Sequence, residues 1–362
     1  MIHGKTIAVV VPAYNEEEQI SRVIESMPGF VDRIIVVDDY STDKTAEVVR
    51  LKMGSLPKVQ LAKVNPPTES FYNRADMLTA SQDQEEEKHF VPAQIIHKNE
   101  NDKLVLISLA RNAGVGAAIA RGYKWAKDHH IDCTAVMAGD GQMDPDELEK
   151  ICTPIVAQDI DYVKGNRLSH RSASLLIPRK RFLGNAILTI LTKIASGYWS
   201  VSDTQTGYTA ISLRALRAIS LYDIYPRYGM PNDMLVKLNI ASCTLKEVNI
   251  KPIYGVGEQS KMKVRRIVLP LIWLLKRSFF KRLWVKYLFK DFHPLFILYH
   301  FAFLLLILSF PYGVKILRLA IQGVDVNPLT AMAFMFLFIS GFQSLLFAMW
   351  MDIQNNDRLY KD

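Results

Sequence analysis

The chain has 362 residues, enough for one large folded domain and an appended segment, because domains usually have about 100 to 200 residues. Its 44 Lys and Arg residues against 36 Asp and Glu give a formal charge of +8, which suits anionic lipid, nucleic acid or phosphorylated ligands alike. The three cysteines, Cys133, Cys152 and Cys243, have no C-x-x-C spacing, which argues against a disulfide framework and a zinc site and favours the reducing cytosol.

The N-terminal part alternates short apolar runs with helical patterns. IAVVVPAY and RIIVVDDYS are typical of buried strands that end in polar loops, and EEEQISRVIESM between them has apolar residues at helical spacing. The rhythm returns in LVLISLARNAG, GVGAAIARGYKWAKD, CTAVM and DPDELEKICTPIVAQ. We therefore predict an α/β domain with a Rossmann-like, mainly parallel sheet that binds its ligands at the carboxyl ends of the strands.

Residues 53–103 interrupt this rhythm. The stretch is polar, contains prolines and an acidic run at 85–87, and is longer than an ordinary connection between a helix and a strand. We predict an inserted flap or subdomain, and the sequence leaves open whether it is a mobile surface segment, a lid or an oligomer contact.

Three predicted strands end in polar residues: PAYNE at 12–16, DDYS at 38–41 and DGQ at 140–142. A dinucleotide-binding domain would carry G-x-G-x-x-G directly after its first strand, where this chain has PAYNEE. The pattern therefore disfavours a dinucleotide site and places carboxylate and amide groups at one edge of the sheet.

The C-terminal third contains two uncharged apolar runs, at 294–311 and 328–351. A helix needs about 20 apolar residues to cross the hydrocarbon core of a bilayer. The runs predict a two-helix transmembrane anchor at 292–352, followed by a cytoplasmic tail at 353–362. A buried hydrophobic hairpin in a soluble core is the alternative.

Residues 261–290 carry ten basic residues and no acidic one, interleaved with Trp, Leu, Ile and Phe. This composition predicts amphipathic helices at 261–291 that lie in the headgroup plane of an anionic membrane. By the positive-inside rule, we expect a multi-pass protein of a plasma or ER-type membrane with its N-terminal domain in the cytoplasm. Nucleic-acid binding is the alternative for the basic stretch, and we expect no nucleic-acid partner.

Six segments occur in an order and spacing that resembles a known enzyme family: VVVPAYNEE, VVDDYSTDKT, RNAGVGAAIARG, AGDGQMDP, DTQTGY and GEQSK. Together they resemble family 2 inverting glycosyltransferases of the GT-A fold. They are similar in particular to the polyprenyl-phosphate glycosyltransferases, which include dolichol-phosphate mannose synthases and bacterial undecaprenyl-phosphate glucosyltransferases. The resemblance spans about residues 5–262 apart from the insertion, and implies a GT-A catalytic domain at 1–260.

The resemblance implies a nucleotide-sugar donor. A carboxylate suits this ligand because it accepts hydrogen bonds from ribose hydroxyls or a base N–H, whereas helix capping is the alternative role for the acidic residues. The candidate donor contacts are Pro12, Ala13, Tyr14, Glu16, Asp39, Asn112, Gly116, Asp140, Gln142, Asp203 and Lys261.

Asp140 and Gln142 are the expected ligands of a Mg²⁺ or Mn²⁺ ion, which would neutralise the charge of a diphosphate leaving group. Members of the family usually carry Asp-x-Asp, and Ala138 stands here in place of the first Asp. This departure leaves metal affinity and sugar preference open. Asp144, directly before Pro145, fits a helix N-cap better than a metal ligand.

The resemblance also implies a polyprenyl-phosphate acceptor. A lipid monophosphate is already anionic near neutral pH, because its second pKa is about 6, so cations that position it matter more than a general base. Arg167 and Arg181 match family arginines near the donor or acceptor phosphates, with scattered surface arginines as the alternative. Ser260 and Lys261 match a Gly-x-Ser-Lys segment, although Gln259 precedes Ser260 here.

Two acidic residues are expected to border the sugar. Asp203 and Asp233 would bind its hydroxyls or orient an arginine, and Asp233 is also the candidate general base; structural hydrogen bonding in loops is the alternative. The expected catalytic set is therefore Asp140, Asp233, Arg167 and Arg181, with Arg167, Arg181 and Ser260 at the acceptor phosphate.

The resemblance implies the transfer of a hexose from a nucleotide diphosphate sugar to polyprenyl phosphate. UDP-glucose is the first expectation, followed by other UDP-hexoses and GDP-mannose, because no residue discriminates uracil from guanine. A polysaccharide-elongating enzyme is disfavoured because it would usually carry Q-x-x-R-W, which does not occur here. Because Ala138 replaces the first Asp, an inert GT-A-like membrane scaffold is an alternative to an enzyme. The family likeness also makes a homo-oligomer plausible.

Overall fold

A computed structural model describes residues 1–61, 73–99, 101–172, 179–253 and 264–361, with the backbone alone at 76, 179–183 and 264–267. The described strands form one sheet in the order β3-β4-β2-β1-β5-β7-β6-β8-β9. The strands are β1 (Ile7–Ala13), β2 (Arg33–Asp38), β3 (Ala93–Ile96), β4 (Leu104–Leu109), β5 (Cys133–Val136), β6 (Tyr162–Asn166), β7 (Thr209–Ser212), β8 (Leu245–Asn249) and β9 (Tyr360–Lys361).

Helices cover both faces of this sheet and extend beyond it. They are α1 (Ile20–Glu25), α2 (Thr45–Lys52), α3 (Arg74–Glu86), α4 (Val115–Asp128), α5 (Leu148–Gln158), α6 (Arg179–Ser196), α7 (Leu213–Ala218), α8 (Met230–Ile240), α9 (Val264–Trp284), α10 (Pro294–Ile321) and α11 (Pro328–Asp357).

The centre of the sheet is parallel. Strand β1 pairs in parallel with β2 and β5, and β2 pairs in parallel with β4. Every residue of β1 is buried: Ile7, Val9 and Val11 pack into one core, and Ala8 and Val10 into the core on the other face. A strand buried on both faces reads as a continuous apolar run, and the predicted α/β class is confirmed.

Two strands depart from the parallel rhythm. Strand β7 runs antiparallel between β5 and β6, and β3 runs antiparallel to β4 at one edge. Since β5 and β6 both oppose β7, they point the same way, and their carboxyl ends lie at the same edge of the sheet.

The described part of the predicted insertion is tied to the domain. Strand β3 adds to the sheet, and Lys127 of α4 forms ion pairs of 2.7 Å with Asp83 and 3.0 Å with Glu86 of α3. Arg121 of α4 pairs with Glu87 at 2.6 Å. A role as a lid or oligomer contact stays a prediction.

Helices α10 and α11 pack against each other as two long apolar helices. They have 28 and 30 residues, each contains an 18-residue stretch with a mean hydropathy of 2.0 or 1.9, respectively, and both are long and apolar enough to cross a membrane. Large apolar side chains such as Phe310 and Leu329 are more than 70% exposed on them. The two predicted apolar helices are therefore present.

The described part of the predicted tail, residues 353–361, is folded. Helix α11 continues to Asp357, and Tyr360 and Lys361 pair in parallel with Leu245 and Lys246 of β8. The strand joins the sheet through a partner more than a hundred residues earlier in the chain, a pairing that local sequence patterns do not reveal.

Helix α4 begins against the loop at 221–229. The amides of Gly116 and Ala117 donate to the Pro226 carbonyl at 2.8 and 3.2 Å. A Cβ at Gly116 would overlap the carbonyl oxygen of Tyr225 and crowd Met230. Close packing of backbone on backbone therefore requires a glycine here.

We predict that Gly116→Ala destabilises the domain, because rigid backbone must shift to admit the methyl group. Overpacking of this kind costs about 1–3 kcal/mol of unfolding free energy, measurable by thermal unfolding in detergent micelles. Gly184→Ala in α6 is the matched control, since a Cβ there meets no atom of the described residues within 4 Å and alanine is favoured in helices by about 1 kcal/mol. Equal stability of the two variants would contradict the packing role.

Candidate functional site

The loops after β1 and β2 are hydrogen-bonded into one unit. Asn15, which has a positive φ of 55°, accepts the Thr42 amide on Oδ1 at 2.8 Å, and its own amide donates to Ser41 Oγ at 3.0 Å. The Glu16 amide donates to the buried Thr45 Oγ1 at 2.9 Å. These contacts fix the backbone that carries the predicted donor contacts Tyr14, which is exposed, and Glu16, which is half-buried.

The end of β1 joins this unit to the other loops. Pro12 and Ala13 are buried, and their carbonyls accept the amides of Gly139 at 3.3 Å and Asp39 at 2.9 Å. Both residues thus position the loops at 38–41 and 137–145. Donor binding by them stays a prediction.

Asp39 links β2 to the start of α4. Its two carboxylate oxygens accept the amides of Ala113 at 2.6 Å and Gly114 at 2.8 Å, and Asn112 Nδ2 donates to its carbonyl at 3.2 Å. Burial raises the pKa of Asp39, against the lowering effect of these amides. A carboxylate that holds two backbone amides fixes the RNAG turn, while Gly116 lies buried under Pro226.

The AGDGQMDP loop is compact. Asp140 is half-buried and accepts the Gln142 amide on Oδ1 at 3.1 Å. Gly139 packs against the Pro12 carbonyl, and Gly141 has a positive φ of 73°. The two glycines allow a tight turn with little bulk beside the carboxylate.

Asp144 caps the next helical turn, as predicted. Its Oδ1 accepts the Asp146 amide at 3.0 Å ahead of the short 3₁₀ helix at Pro145–Glu147, and its Oδ2 pairs with Lys251 at 3.3 Å. The interpretation of Asp144 as an N-cap is confirmed.

The donor set at 140–142 fits a metal that is held jointly with a substrate. Within the described ranges, no three His, Cys, Asp or Glu side chains gather into a metal site. Asp140 and Gln142 offer a carboxylate and an amide oxygen from one turn, and Mg²⁺ is commonly held by one or two carboxylates together with substrate phosphates and water. The residues fit an ion that arrives with a diphosphate.

Arg167, directly after β6, is held by Asp203. Its Nε donates to Asp203 Oδ2 at 2.8 Å and its Nη2 to Oδ1 at 3.1 Å, with side chains 26% and 3% exposed. Burial acts to raise the pKa of Asp203, but the hydrogen bonds and charge of Arg167 outweigh it and lower that pKa. The bidentate pair fixes the guanidinium plane, which is one of the two roles predicted for Asp203.

Two further ionisable side chains lie beside this pair: Lys164, which is buried, and Glu247, which is half-buried. Glu247 of β8 accepts the amides of Ser202 and Asp203, each at 2.9 Å, and Lys164 of β6 donates to the Thr206 carbonyl at 2.5 Å. Burial raises the pKa of Glu247 and lowers that of Lys164 to about 8. Sequence reasoning missed both residues, since they meet only because β6 and β8 pair in register.

The Asp203 turn touches the Asp140 loop. Tyr208 Oη donates to the Asp144 carbonyl at 2.8 Å, and Met143 packs beside Gly207. The structure therefore brings the loops of Asp140 and Arg167 together at one sheet edge.

The partners of Asp233 differ from those of Asp203. Its Oδ2 accepts the Tyr225 amide at 2.9 Å and lies 3.4 Å from Lys237 Nζ, and burial raises its pKa. The neighbouring Asn232 instead accepts from Gln205 Nε2 at 3.0 Å. Asp233 thus contacts the 221–229 loop, and its role as a base stays a prediction.

Three predicted residues lie partly or wholly outside the described structure. Arg181 lies near the start of α6, where the backbone alone is described, and Ser260 and Lys261 lie outside the described residues.

The chain is similar to known glycosyltransferases. The sequence profile of Glycosyl transferase family 2 matches residues 8–62 and 92–220, just over half of the chain, leaving much of the insertion unmatched. The UDP-N-acetylglucosamine–dolichyl-phosphate N-acetylglucosaminyltransferase of Methanococcus voltae is 29% identical over 251 residues, covering 69% of this chain and 86% of that protein. The dolichyl-phosphate beta-glucosyltransferase of Dictyostelium discoideum is 24% identical over 232 residues, 59% of this chain and 56% of that protein.

Among solved structures, glucosyl-3-phosphoglycerate synthase of Mycobacterium tuberculosis, in complex with Mn²⁺, UDP and glucosyl-3-phosphoglycerate, gives a TM-score of 0.46. It is 18% identical, over 77% of this chain and 80% of that one. On the match to the family profile, the chain belongs to glycosyltransferase family 2 and is a glycosyltransferase.

Proposed function

We propose that this enzyme transfers a hexose from a nucleotide diphosphate sugar to a polyprenyl phosphate, with inversion at the anomeric carbon. The observation that carries the proposal is the contact between the Asp140 loop and the turn in which Asp203 holds Arg167. A carboxylate for a diphosphate-bound ion and an oriented guanidinium for a phosphate are the groups this transfer needs. The names of the M. voltae and D. discoideum relatives support the lipid phosphate acceptor.

Different residues of this chain would bind the donor and the acceptor. Asp140 and Gln142 would hold Mg²⁺ or Mn²⁺, which when bound offsets the negative charge of the departing nucleotide. Arg167 would hold the acceptor phosphate in line with the anomeric carbon, assisted by Arg181 and Ser260. The acceptor is already an anion, so Asp233 is not required as a base.

We propose UDP-glucose as the first donor to test. UDP-N-acetylglucosamine, the donor in the name of the M. voltae relative, and GDP-mannose are the next two.

We further propose that α10 and α11 span the membrane with the catalytic domain on the cytoplasmic side. Both ends of the helix pair meet the catalytic domain, because α9 leads into α10 and β9 after α11 joins the sheet. Basic helix α9 buries Leu275 and Phe279 and exposes Leu269 and Trp273, which are 74% and 64% exposed. Such a helix suits the headgroup plane, where its apolar side chains enter the lipid.

The proposal predicts sugar transfer to lipid. Purified protein in vesicles with polyprenyl phosphate should form a glycolipid from one of three radiolabelled donors, UDP-glucose, UDP-N-acetylglucosamine or GDP-mannose, when Mn²⁺ or Mg²⁺ is present. Extraction of the product into organic solvent measures it. If no donor labels the lipid under any metal condition, the acceptor assignment is wrong.

We predict that Asp140→Ala lowers transfer by about 10²- to 10³-fold, because the charge of the leaving group is no longer offset. The matched control is Asp144→Asn in the same loop, which keeps a good N-cap and should retain activity. Steady-state kinetics with varied Mn²⁺ measure both. If the Asp140 variant transfers sugar as fast as the wild type, Asp140 has no part in offsetting the charge of the leaving group.

We predict that Asp203→Asn lowers kcat/KM for the acceptor by about 10- to 100-fold, since hydrogen bonds to a charged group contribute about 1.5–3 kcal/mol. Asp161→Asn is the control, because Asp161 pairs with Arg214 at the opposite end of β6. Both variants should lose stability in thermal unfolding. A similar loss of transfer in both would show that the Arg167 pair has no specific part.

A further inference from the structure

A cluster of buried polar side chains joins the catalytic domain to the apolar helices. We call Asn239, Arg282, Lys286, Tyr287, Asp352 and Asn356 the junction cluster; all six are at most 2% exposed. They come from α8, from the segment at 282–287 and from the end of α11. Asp352 is the first charged residue after the uncharged run at 328–351.

Arg282 and Asp352 form the centre of the cluster. Nη1 donates to Oδ1 and Nη2 to Oδ2, each at 2.7 Å, and both side chains are completely buried. Burial acts against the charged guanidinium, but Asp352 raises the pKa of Arg282 above its ordinary value. The bidentate geometry fixes the last turns of α11 against α9 in both position and rotation.

The same guanidinium reaches the catalytic domain. Its Nε donates to the Ala195 carbonyl at 3.0 Å and its Nη2 to the Ile194 carbonyl at 3.1 Å, at the end of α6. Gly197 follows with a positive φ of 78°, and a Cβ there would overlap Arg282 Nη1. One side chain therefore connects α6, α9 and α11.

A second layer surrounds the ion pair. Lys286 Nζ donates to Asn239 Oδ1 at 2.8 Å and Asn356 Oδ1 at 2.7 Å, and Tyr287 Oη donates to Asp352 at 2.7 Å. Burial and the charge of Arg282 lower the pKa of Lys286 to about 7. The layer ties α8 to α11 through Asn239.

The helices held by the cluster also carry site residues. Helix α6 begins with Arg179 and includes Arg181, and α8 carries Asn232 in its first turn. Thr192 of α6 donates to Asn232 Oδ1 at 2.8 Å, which in turn accepts from Gln205 beside Asp203. A continuous set of contacts thus runs from the end of α11 to the Asp203 turn.

Stability alone does not account for this cluster. Buried ion pairs are often no more stabilising than well-packed apolar residues of similar volume, and their best attested use is to fix one arrangement. We propose that Arg282 and Asp352 are positioning residues that hold the catalytic domain in one orientation on the apolar helices, so that a lipid-borne phosphate meets the site. The inference deepens the proposed function and rests on it for the acceptor.

The test uses the double variant Arg282→Met/Asp352→Leu, which removes both charges without leaving one unpaired. Spin labels at Gln158→Cys and Val324→Cys, both exposed, report the distance between the domain and the helix turn; the three native cysteines are buried. In vesicles we expect a narrow distance distribution without the double substitution and a broad one with it. A narrow distribution in both proteins would overturn the proposal, whichever reaction the enzyme catalyses.

Activity supplies the second measurement. Against a long-chain polyprenyl phosphate in vesicles, kcat/KM of the double variant should fall at least tenfold, whereas a short water-soluble prenyl phosphate should be used within about threefold of wild type. Asp161→Asn is the control for general loss of stability and should not separate the two acceptors. An equal fall with both acceptors, or no fall with either, would overturn the positioning role. Wild-type protein that uses neither acceptor would instead refute the proposed function.

Discussion

The parallel pairing of β1 with β2 and β5 decides where the functional groups of this protein meet. Because these strands run in one direction, the loops that follow them emerge at a single edge of the sheet. The carbonyls of Pro12 and Ala13 then bind the amides of Gly139 and Asp39, so the strand ends are joined as well as adjacent. Reversal of β5 alone would carry Asp140 to the opposite edge.

Buried charged side chains orient arginines in two parts of the molecule. Beside the site, Asp203 fixes the plane of Arg167 while Glu247 holds the backbone amide of Asp203 itself. At the far end of α6, Arg282 and Asp352 join helices that belong to the domain and to the apolar pair. In both places a carboxylate orients an arginine by two parallel hydrogen bonds, a geometry that specifies direction as well as distance.

The sequence predicted those features that depend on local patterns. Continuous apolar runs identified the central strands, and uncharged runs of spanning length identified α10 and α11. The Asp-Pro pair identified the cap at Asp144. The ordered motifs identified the family, which the profile match confirms.

Features that depend on distant pairings were not predictable in this way. Two features follow from sheet order, which leaves no periodic signal in the chain. They are the antiparallel insertion of β7 between β5 and β6 and the register that places Lys164 of β6 opposite Glu247 of β8. The predicted contact of Gly116 with the donor stays a prediction, and its neighbours add a packing role, since the Tyr225 carbonyl excludes any side chain there. Residue type alone could not distinguish close packing from ligand binding at that position.

The position of β9 sets an order of events during synthesis. Tyr360 and Lys361 leave the ribosome after both long apolar helices, so the outer edge of β8 stays uncovered until those helices have been made. Unpaired strand edges readily bind other extended chains. Completion of the sheet therefore waits for the synthesis of both long helices, and a delay in that synthesis would prolong the exposure of the β8 edge.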